Sequence, residues 1–146
     1  MKTITQETLN EIFKARDKAR GKGLNPILDF SNKSLPGLDF SGKDCRGADF
    51  SWADCAGADF SYADCRGAYF SDADCGDASF IHADCAGADF SYADCEGADF
   101  SDADCKSINF RHADCRDADF LYTDCRDANF NHADCSDADF RYAATS

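Results

Sequence analysis

Hydrophobic residues recur in this chain with a period of five. From Phe30 to Phe140 every fifth residue is Phe, Cys or, once, Leu35, which makes 23 consecutive units. Two residues before the centre sits a small residue, Ala from Ala48 onward except at Ile108 and Thr123. One residue before it sits Asp in 18 of the 23 units, the exceptions being Ser34, Tyr69, Ser79, Asn109 and Asn129. On an α-helix five residues advance by about 140° net, so the centres would spiral around the whole surface. On a flat strand they would alternate between faces. The period does fit a solenoid in which each unit is one side of a coil and successive coils stack. Within a unit the centre and the small residue two before it face inward, and the Asp between them faces out.

From Phe40 onward the centres alternate strictly between Phe and Cys. Three units per coil would stack Phe on Cys. Four units, a 20-residue coil, put Phe on Phe and Cys on Cys in every column. Large side chains from two opposite walls then interdigitate with small ones from the other two, filling a narrow interior without voids. The predicted core includes Phe50, Phe60, Phe70, Phe80, Phe90 and Phe100 with Cys55, Cys65, Cys75, Cys85, Cys95 and Cys105. Corners are legible as well. Gly47, Gly57, Gly67, Gly87 and Gly97 lie two residues after a Cys, where a type II turn needs φ > 0. Asp77, Asp117, Asp127 and Asp137 take that slot elsewhere under slight strain, and the Phe-Ser-x-Ala corners, which lack Gly, are expected to turn differently.

The units ADFSY, ADCRG, ADCAG and ADCSD resemble the A(D/N)LXX consensus of the pentapeptide-repeat proteins, over roughly residues 27–142. The resemblance implies an all-β solenoid, a right-handed quadrilateral parallel β-helix of about six coils. It departs from the consensus in using Cys where Leu or Phe is usual, and in Lys33 and Lys43 where Ala is expected. At about 4.8 Å per coil the rod is about 29 Å long. Residues 1–26 read as an N-terminal helical cap and linker and 27–146 as the β-helix. Thr3 and Gln6 resemble a capping box, Leu9, Ile12, Phe13 and Ala19 form an apolar stripe, and Gly21 and Gly23 end the helix. No comparable plug follows Phe140, so association of two chains through the C-terminal coil is one expectation and a last coil blunted by Arg141 and Tyr142 the other.

Composition narrows the chemistry. With 15 basic and 28 acidic residues the net charge is −13, which argues against direct contact with nucleic-acid phosphates or an anionic membrane surface. No run near 18 apolar residues is present, nor a signal-peptide pattern, and a cytoplasmic, reducing setting is expected. The ten thiols form two columns on opposite walls. Their spacing lacks the clustering of zinc sites, and their parallel Cα–Cβ bonds do not converge for disulfides. Buried Cys behaves as a small hydrophobe, so packing is the favoured role over an oxidation-sensitive or metal-loaded core. No nucleophile triad, phosphate loop or cofactor motif is apparent, and the chain reads as no enzyme. His82, His112 and His132 fall at outward corners, with His112 and His132 stacked in adjacent coils.

Two surfaces are candidates for partner binding. The wall of Cys45, Cys65, Cys85, Cys105 and Cys125 has near-balanced charge. The opposite wall carries Asp54, Asp74, Asp77, Asp94, Glu96, Asp114, Asp117, Asp134 and Asp137 against Lys33 and Arg116, about −7. The second candidate is an outward patch on one Phe wall, Tyr62, Ile81, His82, Leu121, Tyr122 and Tyr142. The expected function is a non-enzymatic scaffold or protein-interaction rod. Some members of the family resemble B-form DNA and bind type II topoisomerases, so the resemblance also implies an acidic mimic of DNA directed at DNA gyrase. A regular repeat, natural or engineered, without a dedicated partner is the third reading.

Overall fold

A computed structural model describes all 146 residues. Backbone bridges join residues twenty apart in parallel from Asp29↔Asp49 to Asp124↔Ala144, so a coil is four pentapeptides and the rod a right-handed four-sided β-helix. Each wall contributes only one or two extended residues per coil before the chain turns.

The repeat follows from the bonding of its five N–H groups, each of which has a fixed destination. In the unit around Phe50, the Phe50 N–H donates to Tyr69 O of the next coil at 2.7 Å and the Trp52 N–H to Ser71 O at 3.0 Å. The Ala53 N–H closes the corner on Phe50 O at 3.0 Å, and the Asp54 N–H reaches back to Lys33 O at 2.9 Å. That leaves the Ser51 N–H, which donates to the Asp49 carboxylate at 2.9 Å. The Asp of the repeat is thus a turn residue whose side chain satisfies the donor two positions on. Asn109 does the same for Arg111 N–H and Asn129 for Asn131 N–H.

Every corner has one geometry, with φ positive at the second residue after the centre and an N–H···O=C bond closing over three residues, as in a type II turn. Corners after Phe therefore do not turn differently, contrary to the sequence expectation: Trp52, Tyr62, Asp72 and His82 adopt φ of 62, 59, 57 and 56° beside 64° at Gly57. The coil fixes the backbone regardless of the residue. Asp77, Asp117, Asp127 and Asp137, and also Ser107, take the left-handed conformation in the Gly slot.

Inside, all twelve core residues named from the sequence are fully buried. Each Phe stacks on the Phe one coil away and meets the opposite wall edge-on. Phe90 lies 4.5 Å from Phe70 at 9° between planes, and 5.3 Å from Phe80 at 83°. The Cys columns fill the remaining two sides.

The N-terminal segment closes one end. Strand β1 (Lys2–Thr3) pairs in parallel with β2 (Lys33–Ser34), and helix α1 (Gln6–Arg20) lies across the first coil with Leu9 and Phe13 buried. Phe13 continues the aromatic stack at 6.3 Å from Phe30 and 6.2 Å from Phe40. The capping assignment needs correction: Thr5 is the N-cap and accepts from Thr8 N–H, while Thr3 belongs to β1. The Gln6 amide bonds the coil edge, donating to Asp39 O at 3.1 Å and accepting from Asp39 N–H at 2.8 Å, as a strand residue would. Ala19 is only half-buried, and Arg16 takes a buried place on the stripe. Lys33 and Lys43 stand half-buried where later coils have Ala, and the bridges continue through both units unbroken. Lys43 Nζ lies 5.6 Å from the Phe13 ring, so its stem lines the join between cap and coil.

The opposite end is uncapped in this chain. Phe130, Cys135 and Phe140 are half-buried. The N–H groups of Asp127, Phe130, His132, Cys135, Asp137, Phe140 and Tyr142 have none of the coil-to-coil partners that their counterparts possess.

Candidate functional site

The ten cysteines are all unpaired, nine of them buried and Cys135 half-buried at the open end. Burial pushes the Cys105 and Cys125 thiols up, the latter to about 12, which keeps them protonated and poorly nucleophilic. The rod has no cavity in which a substrate would be enclosed.

On the wall of Cys45 to Cys125, Arg46, Arg66 and Lys106 each clamp the Asp two before them and lean toward the Asp one coil on, while Arg126 clamps Asp124 alone. Arg66 contacts Asp64 at 2.6 Å and Asp84 at 3.4 Å, and Lys106 contacts Asp104 at 2.6 Å and Asp124 at 3.2 Å. Arg20 at the end of α1 joins this ladder through Asp44 at 2.6 Å. Hydrogen bonds from Arg66 to Asp64, and from Arg126 to Asp124, hold both carboxyls below the usual carboxylate range.

The opposite wall is the acidic one. Asp54, Asp74, Asp94, Asp114 and Asp134 each accept the N–H two residues on, so their first duty is to the backbone. Asp77, Asp117 and Asp137 stand exposed at the corners. Glu96 and Asp114 converge on Arg116, whose guanidinium lies 2.7 Å from Glu96 and also pairs with Asp114. The cluster of Asp94, Glu96 and Asp114 has its ligand atoms within 4.8 Å of one another, but this guanidinium already serves two of its three carboxylates.

The corners after Phe carry the third surface. Ring side chains occupy eight of the twelve Phe corners and none of the eleven corners after Cys or Leu35, where Gly, Asp and Ser serve. Tyr62 stacks on His82 at 4.9 Å and Tyr122 on Tyr142 at 4.9 Å, with Asp102 on the rung between the pairs. Ile81 and Leu121 flank this ladder half-buried. The structure thus aligns the six residues of the predicted patch along one edge.

The expected stack of His112 on His132 is the end of a longer second ladder on the other Phe wall. It runs Trp52, Asp72, Tyr92, His112, His132, with Tyr92–His112 and His112–His132 each stacked at 4.8 Å. Trp52 is 57% exposed and Tyr92 55%, and Tyr69 stands nearby, 52% exposed, in a slot that normally holds Asp. The sequence signal was the same 20-residue spacing that revealed the first ladder. Burial, then Arg111 and His132, draw the His112 imidazole down.

Comparison with known proteins agrees with this architecture. The family described as pentapeptide repeats (8 copies) matches in overlapping segments across residues 29–143. The chain belongs to the pentapeptide-repeat family. Among solved structures it is similar to Rfr23, a pentapeptide repeat protein of the cyanobacterium Cyanothece 51142, with 16% identity, 82% of this chain and 88% of that one covered, and a TM-score of 0.56. A pentapeptide repeat protein of the Arabidopsis thaliana thylakoid lumen is 32% identical over 76% of this chain and 67% of that one, with a TM-score of 0.44. QnrB1, a plasmid-mediated fluoroquinolone resistance protein, is 19% identical over 82% of this chain and 79% of that one, with a TM-score of 0.49. No curated protein matches the chain in sequence.

Proposed function

We propose that this chain is a non-enzymatic interaction rod of a reducing, cytoplasmic compartment, which presents its ringed Phe corners to a protein partner. The observation that carries this reading is where the rings lie. All corners share one left-handed backbone, which costs an L-residue about 1–2 kcal/mol and Gly almost nothing. Half of the Cys and Leu corners relieve that strain with Gly, and the others use small polar residues. Eight of the twelve Phe corners instead hold rings, seven of them exposed, that the fold does not require, and strain retained at an exposed site points to a use outside the fold. The net charge of −13 favours a basic partner.

The test compares two variants as baits in an extract of the source cells. One replaces Trp52, Tyr62, Tyr92 and Tyr122 by Ser; the other replaces Asp54, Asp94 and Asp134 by Asn. The reading expects a partner retained by the wild type and by the Asn variant and lost by the Ser variant. Retention by the Ser variant overturns it.

A second reading is favoured by the charge density. Residues 27–146 hold 9 basic and 25 acidic residues, a net −16. Over about 29 Å that is about one net charge per 1.8 Å, against about 1.7 Å for duplex DNA. On this reading the rod imitates DNA toward a type II topoisomerase such as DNA gyrase. Asn keeps the turn hydrogen bond and removes only the charge, as Asn109 and Asn129 demonstrate. Inhibition of gyrase supercoiling by the wild type and its loss in the Asn variant support mimicry; no inhibition by the wild type rejects it.

We further propose that the open coil pairs with a second copy of this chain. Seven unpaired N–H groups and half-buried aromatic residues are available there, whereas α1 blocks the other end, so growth stops at two. Sedimentation should show a dimer, and a monomer at high concentration rejects the pairing.

A further inference from the structure

We propose that the Trp52–Asp72–Tyr92 rungs form a binding notch for a quaternary or methylated ammonium group. The three residues occupy the same corner in successive coils and share one backbone conformation, with φ of 62, 57 and 60°. Neighbouring rings on this ladder are spaced at 4.8 Å, so Trp52 and Tyr92, two rungs apart, are separated by about 9.6 Å. A cation midway lies about 4.8 Å from each ring, within the ~6 Å reach of a cation–π contact. The residue on the middle rung is a carboxylate. The Asp72 side chain makes no hydrogen bond or ion pair, unlike the wall Asp residues that bond the backbone. An unspent negative charge is therefore placed between two exposed ring positions.

This arrangement selects among cations. A bare ammonium is compact and strongly hydrated and keeps its water. A guanidinium is planar and suits bidentate carboxylate pairing, as Arg116 shows on the acidic wall. A methylated ammonium is rounder, donates few or no hydrogen bonds to water, and spreads its charge over methyl groups that meet ring faces. The motif occurs again on the other Phe wall, where Asp102, also without a side-chain partner, stands between His82 and Tyr122. In both places the centre unit reads Ser-Asp-Ala-Asp-Cys.

The inference rests on the Phe corners being interaction surfaces, and its test is separable from that reading because it needs no partner. Trp52 is the only tryptophan, so its fluorescence reports on the notch directly. Titration with tetramethylammonium chloride should change the emission saturably in the millimolar range, and sodium chloride or ammonium chloride at equal ionic strength should not. D72N and Y92A should each weaken binding at least fivefold with circular dichroism unchanged, whereas D102N should leave it as it is. Tighter binding of a trimethyllysine peptide assigns the group to a polypeptide; equal binding assigns it to a free ion. A change reproduced by sodium chloride, or one indifferent to D72N, overturns the notch. That result would leave the partner test with the Ser variant standing.

Discussion

Phe90 offers the sharpest test of how the rod is held together. It is fully buried and has four ring neighbours, stacked on Phe70 at 4.5 Å, tilted against Phe110 at 5.2 Å, and edge-on to Phe80 and Phe100 at 5.3 and 5.6 Å. Phe→Ala in a packed interior costs about 3–5 kcal/mol through lost transfer and the cavity left behind. Ring pairs add about 0.5–1.5 kcal/mol each, and a coil closed on four sides relaxes little. Phe90→Ala should therefore fall near the top of that range, about 5 kcal/mol. Phe140 is the control. It is half-buried, with two ring neighbours, Phe120 at 4.6 Å and Phe130 at 5.5 Å. Its space opens to water, so Phe140→Ala should cost about 2 kcal/mol. Urea unfolding followed by circular dichroism gives both numbers. Hydrogen exchange on the two sides of residue 90 shows whether the rod still unfolds as one unit, which a solenoid need not do once a coil interface is weakened. Equal losses at the two sites would refute the continuous-stack account, as would a cost at Phe90 below about 2 kcal/mol.

Other consequences follow from the corners and the charges. Gly87 adopts φ +67° with open space around it, so Gly87→Ala should cost about 1 kcal/mol in thermal unfolding, whereas Gly76→Ala, one residue earlier in its corner and free of the left-handed requirement, should be nearly neutral. Hydrogen bonds from Arg66, Arg116 and Ser136 depress Asp64, Asp114 and Asp134 below the usual carboxylate range. Because the folded values lie below the unfolded one, that stabilisation is complete above about pH 4 and is lost as pH falls through the depressed values. Urea midpoints should be flat between pH 5 and 8 and should drop from about pH 4 downward, and a rise on acidification would contradict the assignment.

Much of this fold is legible in the sequence because every position of the pentapeptide has its own task. The centre packs, the Ala lets the chain turn close to the core, and the Asp answers a backbone donor. A periodic task leaves a periodic trace, so coil size and core were readable from the Phe/Cys alternation alone. The geometry of the corners after Phe is not legible because Gly is the sequence signal for positive φ, while the coil imposes it on Trp52 and Tyr62 as firmly as on Gly57. The helix start was placed two residues early because Thr3 and Thr5 are both plausible caps. Only tertiary pairing of Lys2 and Thr3 with Lys33 and Ser34 separates them. Arg16 was missed because a buried guanidinium leaves no apolar signal. The stack of His112 on His132 is legible in the sequence, whereas its extension to Trp52 and Tyr92 is not, since a ring at an exposed corner gains meaning only from the rungs on either side.

The central claim is that the alternation closes a dry, chemically inert core and leaves function to the surface. Thiol labelling with an excess of a small reagent tests it most directly. The account predicts that at most one of the ten thiols, Cys135 at the open end, reacts in the native chain, and that all ten react after denaturation. Rapid native labelling of several thiols along Cys45 to Cys125 would contradict it.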